Sequence, residues 1–233
     1  MPQHTPAINR LLDSLPGDDQ RRMRSRCDAV DLAFADVLYT PGECLGQVYF
    51  PISSFISLIM SAGGAACLEV GLVGNEGMFG IPLALGVDVS PLRAVVQGAG
   101  SALRMDAASF RRHLANSPAL QREIDRYVCV HLTQLAQTAA CTRFHVIEAR
   151  LARWLLMTQD RARAHTFHVT QEFLALMLGV RRAGVTNAAN SLQRRNLIHY
   201  RRGDITVLDR RGLKAASCGC YRADRTSYDR ILR

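Results

Sequence analysis

The sequence predicts an α+β chain in three parts: an N-terminal antiparallel β-barrel or sandwich, one long helix, and a C-terminal winged helix-turn-helix. Three observations carry that prediction. Short β-forming runs broken by Pro and Gly fill the chain from about residue 30 to about 110. A heptad-like 4-3 repeat follows Ser117-Pro118. An apolar helix, Gly179, a polar-faced helix and a two-stranded ribbon come next.

The 233 residues suffice for one large domain or two modest ones with a real core. The net charge of +9 is unevenly placed: residues 1–149 carry about −2 and residues 150–233 about +11. A basic half joined to a near-neutral half is expected when one part meets a polyanion. No run approaches a membrane span, and Met1-Pro-Gln-His-Thr-Pro6 does not read as a signal peptide, so a cytoplasmic protein with no membrane partner is expected. Seven scattered cysteines do not describe a disulfide scaffold, and reduced thiols are the expectation.

In chain order, residues 1–26 read as an N-terminal arm with a short amphipathic helix at Asn9–Leu15, stopped by Pro16-Gly17, then a charged, solvated stretch from Asp18 to Arg26. Strand-like runs follow at Leu32–Leu38, Gln47–Phe50, Ser54–Met60, Ala66–Val73, Arg93–Gln97 and Ser101–Met105. Pro41-Gly42, Pro51, Gly74, Gly77 and Gly98 punctuate them, and Gly63-Gly64 makes a hairpin turn. The apolar loop from Gly77 to Gly86 carries one helical turn.

Ser117-Pro118 supplies an N-cap and an N1 proline. Beyond it Ile124, Val128, His131, Leu135, Thr138 and Thr142 recur in the 4-3 rhythm of a helix-pair seam. Cys129, Leu132, Ala136 and Ala140 form a second, weakly apolar face. The prediction is a dimerisation helix over 117–143 with Ile124, Val128, His131 and Leu135 at its contact. A further helix from Phe144 to Thr158 buries Trp154 and carries Arg150 and Arg153 on its flank.

Phe173–Leu192 reads as two helices broken at Gly179, with Thr170 capping the first. Val185, Ala189 and Leu192 make a buried stripe on the second, which leaves Arg182, Ala183, Thr186, Asn187 and Asn190 nearer its outer face. Ile198 with Tyr200, and Ile205 with Val207, make a wing turned by Arg202-Gly-Asp204. A second helix of this kind enters a DNA major groove, so double-stranded DNA is the predicted partner. Arg182, Ala183, Thr186 and Asn187 are the candidate base readers; Arg181, Asn190, Arg201 and Arg202 are the candidate phosphate contacts. Asp209 caps a short helix beyond the wing.

On Leu178-Gly-Val-Arg-Arg-Ala-Gly-Val-Thr-Asn187, Leu192-Gln-Arg-Arg-Asn-Leu-Ile198 and Tyr200-Arg-Arg-Gly-Asp-Ile-Thr-Val207, the chain resembles the Crp/Fnr family of bacterial transcription regulators. Pro41-Gly-Glu43 and Val73-Gly-Asn-Glu-Gly-Met-Phe-Gly80 add lesser support. The resemblance implies a cyclic-nucleotide-binding-like antiparallel β-barrel of jelly-roll type over 27–115, the dimerisation helix over 117–143, and a winged helix-turn-helix over 144–233. It also implies a homodimer on a near-palindromic operator, RNA polymerase as a partner, and no enzyme activity. Where family members read bases with an Arg-Glu…Arg pattern, this chain has Arg182, Ala183 and Asn187, so its half-site is expected to differ. Where cyclic-nucleotide binders carry Gly-Glu and an Arg, this chain has Gly80-Ile81, with Arg93 out of register. Ile81 cannot accept a ribose hydroxyl. The candidate effector pocket of Phe79, Gly80, Ile81 and Arg93 is thus expected to take an unidentified small molecule other than a standard cyclic nucleotide, or nothing.

No cofactor is expected. Cys27, Cys44 and Cys67 do not cluster as an iron–sulfur centre needs. Cys218-Gly-Cys220 is the close thiol pair, with one residue between its thiols where zinc hairpins more often have two. It supports an alternative, a redox- or metal-responsive regulator using Cys218 and Cys220, beside a second alternative of a ligand-sensing scaffold with weak DNA binding. His131, on the helix seam, reads as a polar core residue. No Ser/His/Asp spacing or phosphate loop with Lys-Ser/Thr appears, so the sequence points away from an enzyme.

Overall fold

The structure, a computed structural model, describes residues 9–63, 66–162 and 164–232. Two short helices open it, α1 (Arg10–Asp13) and α2 (Gly17–Arg24). Asn9 caps α1 by accepting from the Leu12 N–H at 3.2 Å. Asp18 and Asp19 favour the N-terminal end of α2 and Arg24 its C-terminal end.

Seven strands follow: β1 (Asp28–Leu32), β2 (Val37–Tyr39), β3 (Gln47–Pro51), β4 (Phe55–Ser61), β5 (Cys67–Val73), β6 (Arg93–Gly98) and β7 (Gly100–Asp106). The helical turn α3 (Ile81–Ala84) lies between β5 and β6. One sheet has the order β1-β7-β3, the other β2-β6-β4-β5. Both are open. The antiparallel β-barrel expected from the sequence is therefore corrected to two separate sheets, because among the described residues no ladder joins an edge of one to an edge of the other. The edges explain why. β1 presents Asp28, Ala29 and Asp31 to solvent, and charges on an edge oppose further pairing. Among the described residues the free side of β3 takes a single bridge, with Tyr49 and Phe79 exchanging N–H···O bonds of 3.1 and 2.8 Å.

The run Leu32–Leu38, read as one strand, is split by a turn. Ala35 adopts φ 69° there, and the Asp36 carboxylate accepts from the Ala33 N–H at 3.2 Å. Of the expected Gly63-Gly64 turn, Gly64 lies outside the described residues, as does Met1–Ile8 of the N-terminal arm.

The rest is largely helical. Asp106 caps α4 (Ala107–Asn116) by accepting from the Ser109 N–H at 2.8 Å. Ser117 Oγ does the same for the Leu120 N–H at 3.0 Å, opening the 27-residue α5 (Pro118–Phe144). There follow α6 (Ile147–Ala162), β8 (Thr166–His168), α7 (Gln171–Leu178), α8 (Arg182–Arg194), β9 (Ile198–Arg201), β10 (Asp204–Val207), α9 (Arg210–Ala216) and α10 (Cys220–Ile231). The wing gains a third strand, β8, in a sheet of order β8-β10-β9.

The chain divides into two compact units, one holding the residues up to Leu58 with Leu72–His131, the other Ile59–Gly71 with Leu132–Arg230. Phe50, Ile56, Leu72, Met105, Phe110 and Tyr127 are fully buried in the first; Leu151, Leu155, Leu174, Val185, Leu192 and Leu213 are fully buried in the second. Each such side chain contributes about 1.5–3 kcal/mol by leaving water. Among the described residues no helix is long and apolar enough to cross a membrane.

Candidate functional site

Thr170 Oγ1 accepts from the Phe173 N–H at 3.2 Å and starts α7. The helix stops at Gly179, whose φ of 61° turns the chain toward α8 at no steric cost. α8 buries Val185, Ala188, Ala189 and Leu192. It packs on α6 closely at Gly184, where a Cβ would lie 2.8 Å from Ile147 Cδ1. From α6, the buried Arg150 donates to the Leu178 carbonyl at the end of α7. One strut thus supports both helices.

Of the expected outer face, Arg182, Ala183, Asn187 and Asn190 are exposed, as is Arg181 just before the helix. Thr186 differs. Half-buried, its hydroxyl lies 2.7 Å from Gln171 Oε1 and 3.1 Å from the Arg182 carbonyl, a joint between α7 and α8. Arg182 pairs with Glu172 at 2.6 Å, an exposed contact worth at most about 1 kcal/mol. In the wing, Arg202 and Gly203 take φ 54° and 89°, the left-handed pair that a two-residue hairpin turn needs. Arg201 and Arg202 are exposed beside it. Tyr200 ties β9 to the helices, its hydroxyl donating to the Val169 carbonyl at 2.7 Å and its N–H to Gln193 Oε1 at 2.8 Å. Burial pushes that phenol up to about 12.

At the predicted effector loop, Phe79 packs against rings from β2 and β3. Phe79 is buried and stacks on Tyr39 with centroids 5.5 Å apart, and Tyr49 leans on it at 6.4 Å. Gly80 has φ 116°, and a Cβ there would lie 2.5 Å from Val48 Cγ1. Ile81 is half-buried at the start of α3, while Arg93 is exposed at the start of β6. Burial pushes the Tyr39 and Tyr49 phenols up. In the same unit, α2 and α4 flank a cleft of about 350 Å³ lined by Arg22, Arg26, Arg112 and His113, none of them singled out from sequence.

On α5 the predicted contact residues divide. Ile124 and His131 are buried, Val128 and Leu135 half-buried, while Cys129, Leu132 and Ala136 of the second face are exposed, Leu132 by 60%. Burial holds the His131 imidazole down at about 4, against the pull of Glu76.

The sequence reading saw only half of a further site. Cys218 and Cys220 lie beside Cys141 and His145, and the four donor atoms are all within 4.8 Å of one another. Cys141 and His145 stand four residues apart, and the His145 N–H still bonds the Cys141 carbonyl at 3.1 Å, so helical geometry carries both to one face. Cys218 and Cys220 flank Gly219 where the chain enters α10. Cys141 Sγ is 3.5 Å from Cys218 Sγ, and Cys220 Sγ is 3.5 Å from His145 Nδ1. The three cysteines are buried; His145 is the least buried member. The Cys218 contact and then the nearby Arg153 charge draw the Cys141 thiol down, while that contact and burial push Cys218 up. Arg153 is buried and donates through Nε and Nη2 to Asp224 Oδ2 at 3.2 and 2.6 Å, joining α6 to α10. The signal available in the sequence was the Cys141-x-x-x-His145 spacing at a helix end.

Residues 149–216 match the model of the Crp-like helix-turn-helix domain. Among curated proteins none matches the sequence. Solved structures with a similar fold include FixK2 from Bradyrhizobium japonicum, at 14% identity over 82% of this chain and 98% of that one, TM-score 0.69. The c-di-GMP-responsive global regulator CLP of Xanthomonas campestris is similar at 17% identity over 82% and 99%, TM-score 0.68. A CRP/FNR-family transcriptional regulator from Thermus thermophilus is similar at 21% identity over 82% and 98%, TM-score 0.66.

Proposed function

We propose that this chain, which has the Crp/Fnr regulatory fold and a Crp-like helix-turn-helix, is a DNA-binding transcription regulator whose hold on DNA is set by the metal or redox state of Cys141, His145, Cys218 and Cys220. The family is a non-catalytic class of transcription regulators. The observation that carries the control half is the convergence of four soft donors within 4.8 Å.

For DNA, the exposed Arg182 suits guanine O6/N7, Asn187 suits adenine N6/N7, and Ala183 suits a thymine methyl. Arg181, Asn190, Arg201 and Arg202 supply phosphate contacts that set register. Thr186 serves the helix joint before it serves a base. A homodimer through α5, using the seam of Ile124, Val128, His131 and Leu135 or the exposed face around Leu132, would place two such helices on a near-palindromic operator, with RNA polymerase as the protein regulated.

The control route runs through α6. The cluster adjoins the α5–α6 turn and the start of α10, Arg153 links α6 to α10, and α6 supports α7 and α8. In the redox form of the reading, Cys141 and Cys218 give two electrons and two protons to hydrogen peroxide, forming a disulfide and two waters. Their sulfurs are 3.5 Å apart and need close only to about 2.05 Å. The apolar Ile81 and the exposed Arg93 give a cyclic nucleotide little support, although the Xanthomonas regulator is described as c-di-GMP responsive.

Selection of the full-length chain on random duplex DNA tests the DNA half. An enriched inverted repeat, abolished in Arg182→Ala, is the expected result. Equal recovery of all sequences would overturn it.

A further inference from the structure

We infer that Cys141, His145, Cys218 and Cys220 form a four-coordinate site for a soft divalent cation of the zinc class, which pins the start of α10 to the turn between α5 and α6. The inference deepens, and rests on, the control role proposed above.

The donor set comes first. Three thiolates and one imidazole are the ligands of structural zinc sites, whereas hard cations such as magnesium and calcium take oxygen. Spacing comes second. A tetrahedral ion with metal–sulfur bonds of about 2.3 Å holds its donors about 3.5–3.8 Å apart. Here the Cys141–Cys218 sulfur–sulfur contact and the Cys220–His145 sulfur–nitrogen contact each measure 3.5 Å, and no pair exceeds 4.8 Å. A disulfide would engage only two of these four donors and leave Cys220 and His145 without a role.

The surroundings are those of a bound thiolate centre. Gln137 Nε2 donates to Cys220 Sγ at 3.0 Å. Such outer contacts orient ligands and tune the metal.

Charge points the same way. Arg150 and Arg153 are buried near the thiols, and Asp224 is the one carboxylate paired with either among the described residues. Two guanidiniums and one carboxylate leave a single positive charge. A divalent ion with three thiolates and a neutral imidazole carries a single negative one, and the two cancel. Loading the site releases three thiol protons to water.

The experiment uses the full-length chain, purified under reducing conditions and exposed to zinc or cobalt(II) chloride. One zinc per chain should survive gel filtration, and cobalt(II) should develop the strong visible absorption of a tetrahedral thiolate complex. Cys220→Ser and His145→Ala should weaken zinc by at least about tenfold. His145→Cys, which restores a fourth soft donor, should keep the metal, and Cys44→Ser should match the parent. Sub-stoichiometric zinc with no cobalt absorption overturns the site. If peroxide still changes DNA binding in that case, the site falls and the redox form of the functional reading stands. One zinc per chain with DNA affinity indifferent to it supports the site and overturns the metal form of control.

Discussion

The loop from Phe79 to Leu83 and the cluster of Cys141, His145, Cys218 and Cys220 are both candidate control points, and they are built in opposite ways. The loop is continuous in sequence, and its Phe79 packs against Tyr39 and Tyr49. The cluster is assembled from two segments far apart in the chain, and its donors face one another. Packed rings stabilise a fold; converging donors offer a ligand a place. The difference teaches that a local motif can be read from neighbouring residues, while a donor cluster of this kind appears only where distant segments meet.

The largest expected effect tests the cluster's framework. Arg153→Met leaves Asp224 buried without its partner and should cost about 3–5 kcal/mol, read from urea unfolding. A loss below about 1 kcal/mol would remove this pair from the framework. The first unit answers to pH instead. Because His131 is held near 4, the unfolded chain takes up a proton between about 6.5 and about 4 that the fold refuses. Stability should therefore fall by up to about 3 kcal/mol as pH drops through that window, and His131→Gln should flatten the slope. Identical slopes in parent and variant would refute this assignment.

Smaller effects separate the base readers from the phosphate contacts. Arg182→Ala should lose about 1–3 kcal/mol on the selected operator and relax discrimination at one guanine, by competition binding. Arg202→Ala should weaken every sequence alike and flatten the log–log salt slope by about 0.9. A sequence-selective loss would make Arg202 a reader. Glu172→Gln frees Arg182 and should tighten DNA by less than about 1 kcal/mol; any loss would mean that the ion pair positions Arg182.

Much of this architecture was legible in local chemistry. Ser117-Pro118, Thr170, Gly179 and Asp209 act at the helix boundaries where their side chains or backbone freedom place them. The alternation of Ile198, Tyr200, Ile205 and Val207 marked the wing. β8 was missed because its three residues pair only through β10, a long-range partner without a local signal. Sheet closure was misjudged because edge pairing depends on what meets the edge and not on strand propensity. The thiol cluster was half legible. Cys218 and Cys220 stood out by spacing, whereas Cys141 and His145 look incidental until α10 is brought back to them. Arg150 and Arg153 were read as a helix flank, yet they are buried by the elements that return late in the chain.

The central claim is that the cluster sets DNA affinity. Fluorescence anisotropy of the selected operator with the full-length chain, reduced and zinc-loaded against chelated or peroxide-treated, tests it most directly. The account predicts at least about fivefold tighter binding for the zinc-loaded form, with the difference abolished in His145→Ala. Equal affinity in all states would contradict it.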